Sequence, residues 1–294
     1  MKTLYISDLD GTLLQPNIEL SSNTIQILNE LIGQGMLFTV ATARSIASVK
    51  TILKEVPIAV PIILMNGVCI YDLQKNDYVK IETLPRESVD RLMELIQSYR
   101  LKGFAYIIKN GVLSTYYEDL NTKALYDFYQ ERVELYQKRF TQIDSFSSLV
   151  EEPLIYFSLM DYPEKLEPVY QSLLQIPELN SVFYKDNYSP DLWYLEIYSK
   201  AASKYHAVRF LRSYLSPDHI VCFGDNNNDL PLFEACDYRL AVRNAVTALQ
   251  AKADQVIGAN TEDGVAVWLK NNYPPNNDLH TSSSDLHIRN KDYR

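Results

Sequence analysis

Short apolar runs alternate with amphipathic segments through the first and last thirds of the chain, a pattern typical of helices packed on a parallel sheet. The run 36–41 is apolar almost throughout, as expected for a strand buried on both faces. Residues 23–33 place apolar side chains on one helical face, behind a capping serine at 21 or 22. The pattern predicts strands at 4–6, 36–41, 61–65, 220–223, 238–242 and 255–257, a hairpin of 69–72 with 78–82, and helices at 23–33, 45–55, 201–214, 230–235, 246–251 and 262–271.

The pattern changes near Pro85, where longer amphipathic helices alternate with strands whose apolar residues recur at every second position. The turn pair Asn110-Gly111 separates two of these strands. The pattern predicts strands at 104–109, 112–117, 154–161 and 181–185, with helices at 86–99, 121–139 and 163–175. We therefore predict two domains, with strand 193–198 returning to the first: one domain is 1–84 with 193–273, the other is 85–192, and a polar tail, 274–294, is disordered.

Composition narrows the class of protein and of partner. The 294 residues are 47% hydrophobic and 22% charged, which is enough apolar surface for two cores. A formal net charge of −9 disfavours nucleic acids and anionic membranes as partners. No apolar run reaches the roughly 18 to 20 residues of a membrane span, and Met1-Lys2-Thr3 leads into a strand without a signal peptide. We expect a cytoplasmic monomer or weak homo-oligomer that acts on a small molecule.

Functional side chains stand where predicted buried strands end. Because the carboxyl ends of parallel strands open on the same crevice, these side chains are expected to meet. Two carboxylates two residues apart, followed by a glycine, suit a hard divalent cation beside a phosphoryl group. One carboxylate can attack phosphorus while the other moves protons. The residues are Asp8 and Asp10 after the first strand, Thr42 after the second, Asp225, Asn228 and Asp229 after strand 220–223, and Lys204 at the start of a helix.

Two other interpretations of the opening turn compete with this one. Asp-x-Asp-Gly also occurs in ordinary solvated turns. In a calcium loop that begins at Asp8, Asp10 and Glu19 would fall on ligand positions, but Leu13 takes the place of the obligatory glycine. The preceding segment is also strand-like, whereas an EF-hand loop follows a helix. The joint placement of functional groups at three strand ends and one helix start favours a phosphate and metal site.

Four ordered motifs carry a resemblance to a known family: Asp8-Leu9-Asp10-Gly11-Thr12-Leu13-Leu14, Ala41-Thr42-Ala43-Arg44, Lys204, and Gly224-Asp225-Asn226-Asn227-Asn228-Asp229. They resemble those of the haloacid dehalogenase-like (HAD) phosphatases, and more closely the Cof-type subgroup of cytosolic sugar-phosphate and cofactor phosphatases. Met65-Asn66-Gly67 and Glu262-Asp263-Gly264-Val265 are also similar to that subgroup. The resemblance implies a doubly wound, mostly parallel, Rossmann-like α/β core with an inserted α/β cap domain.

The resemblance also implies a role for each motif residue. Asp8 would be the nucleophile and Asp10 the general acid and base of a magnesium-dependent phosphatase that works through an aspartyl-phosphate. The Mg²⁺ residues would be Asp8, Asp10 through its backbone carbonyl, Asp225, and Asp229 as the residue that orients them. Phosphate would lie against the backbone at Leu9 and Ala43, with Thr42, Lys204 and Asn228 completing its binding site.

Three positions depart from the pattern of the subgroup. Ala43 and Tyr205 stand where glycine is usual, and Arg243 stands where a glycine is common. A methyl group at position 43 is tolerable if the local φ is negative. Tyr205 is the more intrusive change, and Arg243 is expected to alter the rim of the site.

The separation of Thr42 from Lys204 far exceeds a normal crossover connection, so a whole domain lies between them. The resemblance implies a mobile cap that closes over the site and contacts the leaving group. Tyrosines are frequent there; they either fill strand faces or form an aromatic wall for a substrate ring. They include Tyr106, Tyr116, Tyr117, Tyr156, Tyr184 and Tyr194.

The substrate and the reaction type stay open at this point. Sugar phosphates, pyridoxal phosphate and flavin mononucleotide all fit a small phosphorylated substrate. A phosphomutase would return the phosphoryl group to a sugar, and a non-catalytic sensor would only bind a phosphorylated ligand. The sensor is disfavoured because Asp8, Asp10, Lys204 and Asp225 are all present.

Overall fold

The computed structural model describes residues 1–185 and 192–274. The predicted disordered tail therefore lies outside the described residues, apart from Pro274. The strands are β1 (Thr3–Ser7), β2 (Leu37–Val40), β3 (Ile62–Leu64), β4 (Cys69–Asp72), β5 (Asp77–Ile81), β6 (Gly103–Lys109), β7 (Val112–Tyr117), β8 (Phe140–Gln142), β9 (Leu154–Asp161), β10 (Leu179–Lys185), β11 (Trp193–Ser199), β12 (His219–Gly224), β13 (Tyr238–Val242) and β14 (Gln255–Ile257).

The helices connect and cover these strands. The α-helices are α1 (Ser22–Gly33), α2 (Ile46–Ile52), α3 (Arg86–Ser98), α4 (Lys123–Tyr136), α5 (Pro163–Leu173), α6 (Lys204–Leu215), α7 (Leu230–Ala235), α8 (Thr247–Gln250) and α9 (Gly264–Asn272). Ser21 caps α1, because its side chain accepts a hydrogen bond from the backbone N–H of Thr24. None of the helices in the described part of the chain is long and apolar enough to cross a membrane.

The first sheet is parallel and has the strand order β14-β13-β12-β1-β2. Strand β1, which lies between β12 and β2, is buried along its whole length. A parallel bridge between Ala41 and Ile63 joins this sheet to β3, which forms an antiparallel sheet with β4 and β5. The predicted α/β class with a mostly parallel core is confirmed.

The second sheet has the order β10-β11-β9-β6-β7-β8 and is antiparallel except for the pair β7 and β8. Its helices α3 and α5 pack with it around a second apolar cluster. Strand β11 was predicted to return to the first domain, but it pairs with β9 and β10 in this sheet. The reason is its period-two pattern: Leu195 and Ile197 enter the second cluster. The chain therefore crosses back to the first sheet between Ser199 and Lys204.

The structure differs from the sequence-based prediction in two further ways near the end of α4. The predicted helix 121–139 ends at Tyr136, because Gln137 adopts left-handed backbone angles that close the helix. Strand β8 was not predicted. It forms because the Phe140 ring packs against Phe104 and Tyr129, at centroid distances of 5.4 and 5.0 Å. The sequence carries no glycine or proline to signal this change.

The three cysteines are free thiols. Cys69 and Cys222 are buried, whereas Cys236 is half-buried. Burial raises the pKa of the Cys69 thiol above its ordinary value. Neither buried thiol lies in a reactive environment.

Candidate active site

The functional side chains meet at one edge of the parallel sheet. The backbone N–H of Asp8 donates to the Phe223 carbonyl at 3.0 Å, which holds the ends of β1 and β12 side by side. On the other flank, the N–H of Ala41 donates to the Ser7 carbonyl at 2.9 Å. Asp8, Asp225 and Thr42 therefore leave three neighbouring strands at the same edge, as the sequence pattern predicted.

Three carboxylates cluster near one buried ammonium group, which is bonded to two of them. Asp8, Asp225 and Asp229 each offer an oxygen, and these oxygens lie within 4.8 Å of one another. The Lys204 Nζ lies 2.6 Å from an oxygen of Asp8 and 2.6 Å from an oxygen of Asp229. The Lys204 and Asp229 side chains are 1% and 0% exposed, so water screens neither charge.

The electrostatics of this cluster favour a bound cation. Burial raises the pKa of the Asp8 carboxyl well above its usual range, and the attraction of Lys204 opposes this effect. Burial and the neighbouring Asp229 raise the pKa of Asp225 to about 6. Burial alone would lower the pKa of Lys204, but the two carboxylates outweigh it, and the pKa is raised. One ammonium does not balance three carboxylates, and hard oxygen donors suit a divalent cation such as Mg²⁺.

Asp229 orders the loop that carries Asp225. One of its carboxylate oxygens accepts hydrogen bonds from the backbone N–H groups of Asp225 and Asn226, at 2.9 and 3.2 Å. Its other oxygen accepts from Lys204. Asp229 is therefore fully engaged within the protein, which suits a residue that orients the metal-binding groups.

Two glycines allow the elements of the site to approach each other. Gly11 has φ +76°, and a Cβ there would collide with the Asp225 carboxylate. Gly67 has φ +98°, and a Cβ there would collide with the backbone of Ser203, next to Lys204. The two turns 9–13 and 65–67 therefore bring Asp225 and Lys204 into the site.

The Asp10 side chain pairs with Arg44 instead of Lys204. Its half-exposed carboxylate accepts hydrogen bonds from Nε and Nη2 of Arg44, both at 2.7 Å, in a bidentate pair. The guanidinium also lies beside the Tyr136 hydroxyl at the end of α4. Arg44 was quoted in the motif without a role, and the sequence gives no signal for this pair.

The predicted phosphate-binding residues lie around the same edge. Thr42 is buried, and its hydroxyl oxygen accepts from the Arg44 N–H at 3.1 Å, which leaves its proton free to donate. Leu9 is buried in the opening turn, and Ala43 lines the cavity described below. Asn228 lies exposed in the helical turn next to Asp229.

The departures from the family pattern are accommodated. Ala43 is not among the residues with positive φ, so its methyl group causes no backbone strain. Tyr205 is half-buried and packs against the first apolar cluster. Arg243 forms a bidentate pair with Glu262, at 3.2 and 2.7 Å. Thr12, which was not assigned a role, donates to Asp225 at 3.0 Å.

A cavity of about 870 Å³ lies between the two sheets. Asp10, Arg44 and Asp225 line its inner side, and residues of β6, β9, β10 and β11 line the other. Of the six tyrosines considered above, Tyr106, Tyr156, Tyr184 and Tyr194 line it. Tyr116 and Tyr117 pack against the apolar clusters instead.

Comparisons with known proteins agree with this geometry. The family model for haloacid dehalogenase-like hydrolases matches residues 5–269. YxeH of Bacillus subtilis is 29% identical over 90% of this chain and 96% of its own length. A second Bacillus subtilis relative, the 5-amino-6-(5-phospho-D-ribitylamino)uracil phosphatase YitU, is 24% identical over 91% of this chain and 96% of its own.

A solved structure with the same fold is TM0651 from Thermotoga maritima. It superposes with a TM-score of 0.76 and 27% identity, over 92% of this chain and 97% of its own. The resemblance carried by the sequence motifs and the prediction of an enzyme are thereby confirmed. The chain belongs to the family of haloacid dehalogenase-like hydrolases.

Proposed function

We propose that the protein is a Mg²⁺-dependent phosphatase that hydrolyses a small phosphomonoester through an aspartyl-phosphate on Asp8. The observation that carries the proposal is the place of Asp8: a buried carboxylate at a strand end, bonded to Lys204 and grouped with two further carboxylates beside a cavity. The name of the relative YitU, a phosphatase of a phosphorylated ribityl compound, supports the reaction class.

Asp8 is the nucleophile in this proposal. Lys204 occupies its Oδ1, which leaves Oδ2 to attack phosphorus. Lys204 also supplies a fixed positive charge that stabilises the negative charge of the phosphoryl group during transfer. The backbone at Leu9 and Ala43, with Thr42 and Asn228, binds the phosphoryl oxygens.

Asp8, Asp225 and the backbone carbonyl of Asp10 would hold the cation, and Asp229 would orient these groups. The three-carboxylate cluster fits this assignment, and the Asp10 carboxylate is engaged by Arg44. When bound, Mg²⁺ offsets the charge of the phosphoryl oxygens and of the carboxylates.

Asp10 transfers the protons. Its protonated carboxyl group first gives its proton to the leaving oxygen, and the carboxylate that this leaves then takes a proton from the attacking water. In the structure Arg44 holds this carboxyl group at the cavity, in the same lining as Asp225. Arg44 also lies beside Tyr136 on α4. Movement of the second sheet and its helices would therefore shift Arg44 and, with it, the Asp10 side chain.

The substrate is a sugar phosphate or phosphorylated cofactor, and the cavity between the sheets receives its leaving group. Residues 1–84 with 193–273 act as the core and 85–192 as the cap in this proposal, with the exception of β11, which belongs to the cap sheet. The protein acts in the cytoplasm on a small metabolite, without nucleic acid or membrane partners, as a monomer or weak homo-oligomer.

The proposal is tested by phosphate release from a panel of phosphomonoesters. We expect Mg²⁺-dependent release by the wild type and loss of at least about 99% of the rate in Asp8→Asn, a barrier increase of about 3 kcal/mol. Asp90→Asn, at an exposed position of α3, is the matched control and keeps full activity. Residual activity of Asp8→Asn above about one per cent would argue against an Asp8 nucleophile.

A further inference from the structure

The cap side of the cavity holds a lysine that has no carboxylate partner in the described part of the chain. Lys138 lies half-buried in the loop between α4 and β8 and lines the cavity. Its Nζ lies 4.3 Å from the centre of the Tyr106 ring and 5.3 Å from that of Phe140. Within the described residues, no carboxylate lies within ion-pair distance of it. An ammonium group that contacts only aromatic faces is stabilised far less than one paired with an anion.

A second cation lies next to Lys138. Arg132, on α4, also lines the cavity, and burial together with this guanidinium pushes the pKa of Lys138 well below its usual range. Arg132 is itself paired with Glu131 at 3.0 Å, but that carboxylate is 48% exposed and therefore screened by water. The carboxylate of Glu196 also interacts with Arg132, but Lys138 has no carboxylate at ion-pair distance among the described residues. Two neighbouring cations in one cavity, one of them without such a partner, form a site for an oxyanion.

Hydrogen-bonding groups lie on the strands next to these cations. Glu196, on β11, lines the cavity and accepts a hydrogen bond from the Tyr184 hydroxyl at 3.1 Å. The hydroxyl of Tyr156 also lies near the Glu196 carboxylate but has no well-aligned hydrogen bond, although Tyr156 is only 3% exposed. Such a buried hydroxyl destabilises the protein unless a ligand supplies a well-aligned hydrogen bond. Hydroxyl groups of a ligand can donate to Glu196 and pair with Tyr156.

We infer that the substrate is a phosphomonoester whose leaving group carries hydroxyls and a second oxyanion, with Lys138 and Arg132 binding the oxyanion and Glu196 and Tyr156 binding the hydroxyls. This inference rests on the proposed phosphatase function, since it places the leaving group at the cap end of the cavity and the phosphoryl group at Asp8. The oxyanion is a carboxylate or a second phosphate; both bind two cations in the same way.

The test compares substrates that differ only in this group. For a carboxylate, 6-phosphogluconate is compared with glucitol 6-phosphate; for a second phosphate, fructose 1,6-bisphosphate is compared with fructose 6-phosphate. We expect the wild type to show at least about tenfold higher kcat/KM for the anionic member of one pair, as expected for a charge-assisted hydrogen bond. The pair that shows the preference identifies the oxyanion.

Variants assign the preference to residues. Lys138→Met should abolish the preference while leaving the non-anionic member unchanged, and Lys138→Arg should keep it. Glu196→Gln should lower kcat/KM for both members of each pair by roughly tenfold, without changing hydrolysis of p-nitrophenyl phosphate. Lys165→Met removes an exposed lysine of α5 that lies outside the cavity and is the matched control; it should behave as the wild type.

The outcomes separate this inference from the function on which it rests. If the wild type hydrolyses p-nitrophenyl phosphate but prefers neither anionic substrate, the inference is wrong and the phosphatase function stands. The same holds if Lys138→Met keeps the preference. If the wild type releases phosphate from none of the compounds, both proposals are wrong. Circular dichroism of each variant shows that a change in rate does not come from unfolding.

Discussion

The carboxylate of Asp10 and the guanidinium of Arg44 form a bidentate ion pair, with both nitrogen-to-oxygen distances at 2.7 Å. The pair lines the cavity, and its guanidinium also lies beside Tyr136 at the end of α4. It fixes the direction of a side chain that would otherwise rotate freely in solvent, because the Asp10 side chain is 49% exposed. Arg44 is therefore a positioning residue for Asp10.

Replacing Arg44 should lower the rate of the chemical step. Arg44→Ala removes both hydrogen bonds and should reduce kcat by about tenfold to a hundredfold, with little change in KM, because a misdirected acid costs about this much. Arg44→Lys keeps the charge but not the planar fork, so an intermediate loss is expected. Steady-state kinetics on a sugar phosphate measures both constants. An unchanged kcat in Arg44→Ala would show that the pair does not position Asp10.

Removal of the metal should stop turnover without unfolding the protein. The two apolar clusters do not depend on a cation, so circular dichroism in excess EDTA should match that of the untreated protein. Mg²⁺ at about 100 times its dissociation constant should stabilise the fold by about 2.7 kcal/mol, an increase that Asp225→Asn should largely lose. Full activity in excess EDTA would remove the metal from the mechanism.

Lys204 should matter for stability as well as for catalysis. Lys204→Met leaves the Asp8 and Asp229 carboxylates buried without their cation, which should cost about 3–5 kcal/mol of unfolding free energy. Adding Asp229→Asn should recover part of this loss, because one of the uncompensated charges is removed. Urea denaturation in EDTA measures all variants. If the losses of the two single variants simply add, the predicted coupling is absent.

Gly67 should be intolerant of even a methyl group. In Gly67→Ala, the Cβ meets the Ser203 backbone and the positive φ adds strain, so we expect a loss of more than about 1 kcal/mol and reduced activity through displacement of Lys204. Gly33→Ala is the control, because the space around that glycine at the end of α1 is open. Thermal unfolding distinguishes them, and equal effects of the two substitutions would contradict the account.

The location of the site at one edge of the parallel sheet could be predicted from the sequence, because strand ends and turn residues have local sequence signals. Asp8, Thr42 and Asp225 lie where the pattern predicted, since parallel strands bring their carboxyl ends together. The position of the Lys204 ammonium between Asp8 and Asp229 depends on contacts between residues far apart in the chain. A motif can identify such a residue as functional, but the pattern of apolar positions does not predict where its side chain lies.

The features that were not predicted have physical reasons. An alternating strand such as β11 fits either sheet, and only its partners β9 and β10 decide between them. The direction of the Asp10 side chain depends on its rotamer and on Arg44, which no periodicity encodes. The roles of the individual site residues stay predictions that kinetics must test.

The central claim is that Asp8 carries the phosphoryl group, and it is tested most directly by trapping that intermediate. Asp10→Asn should slow hydrolysis of the intermediate by roughly two to four orders of magnitude, because it lacks the base that activates water. With p-nitrophenyl phosphate, whose acidic leaving group needs no proton, this variant should still form the intermediate. Rapid acid quench followed by peptide mapping should then find phosphate on Asp8, approaching one group per enzyme molecule. Continued turnover with no trapped phosphoenzyme, or with phosphate on another residue, would contradict the account.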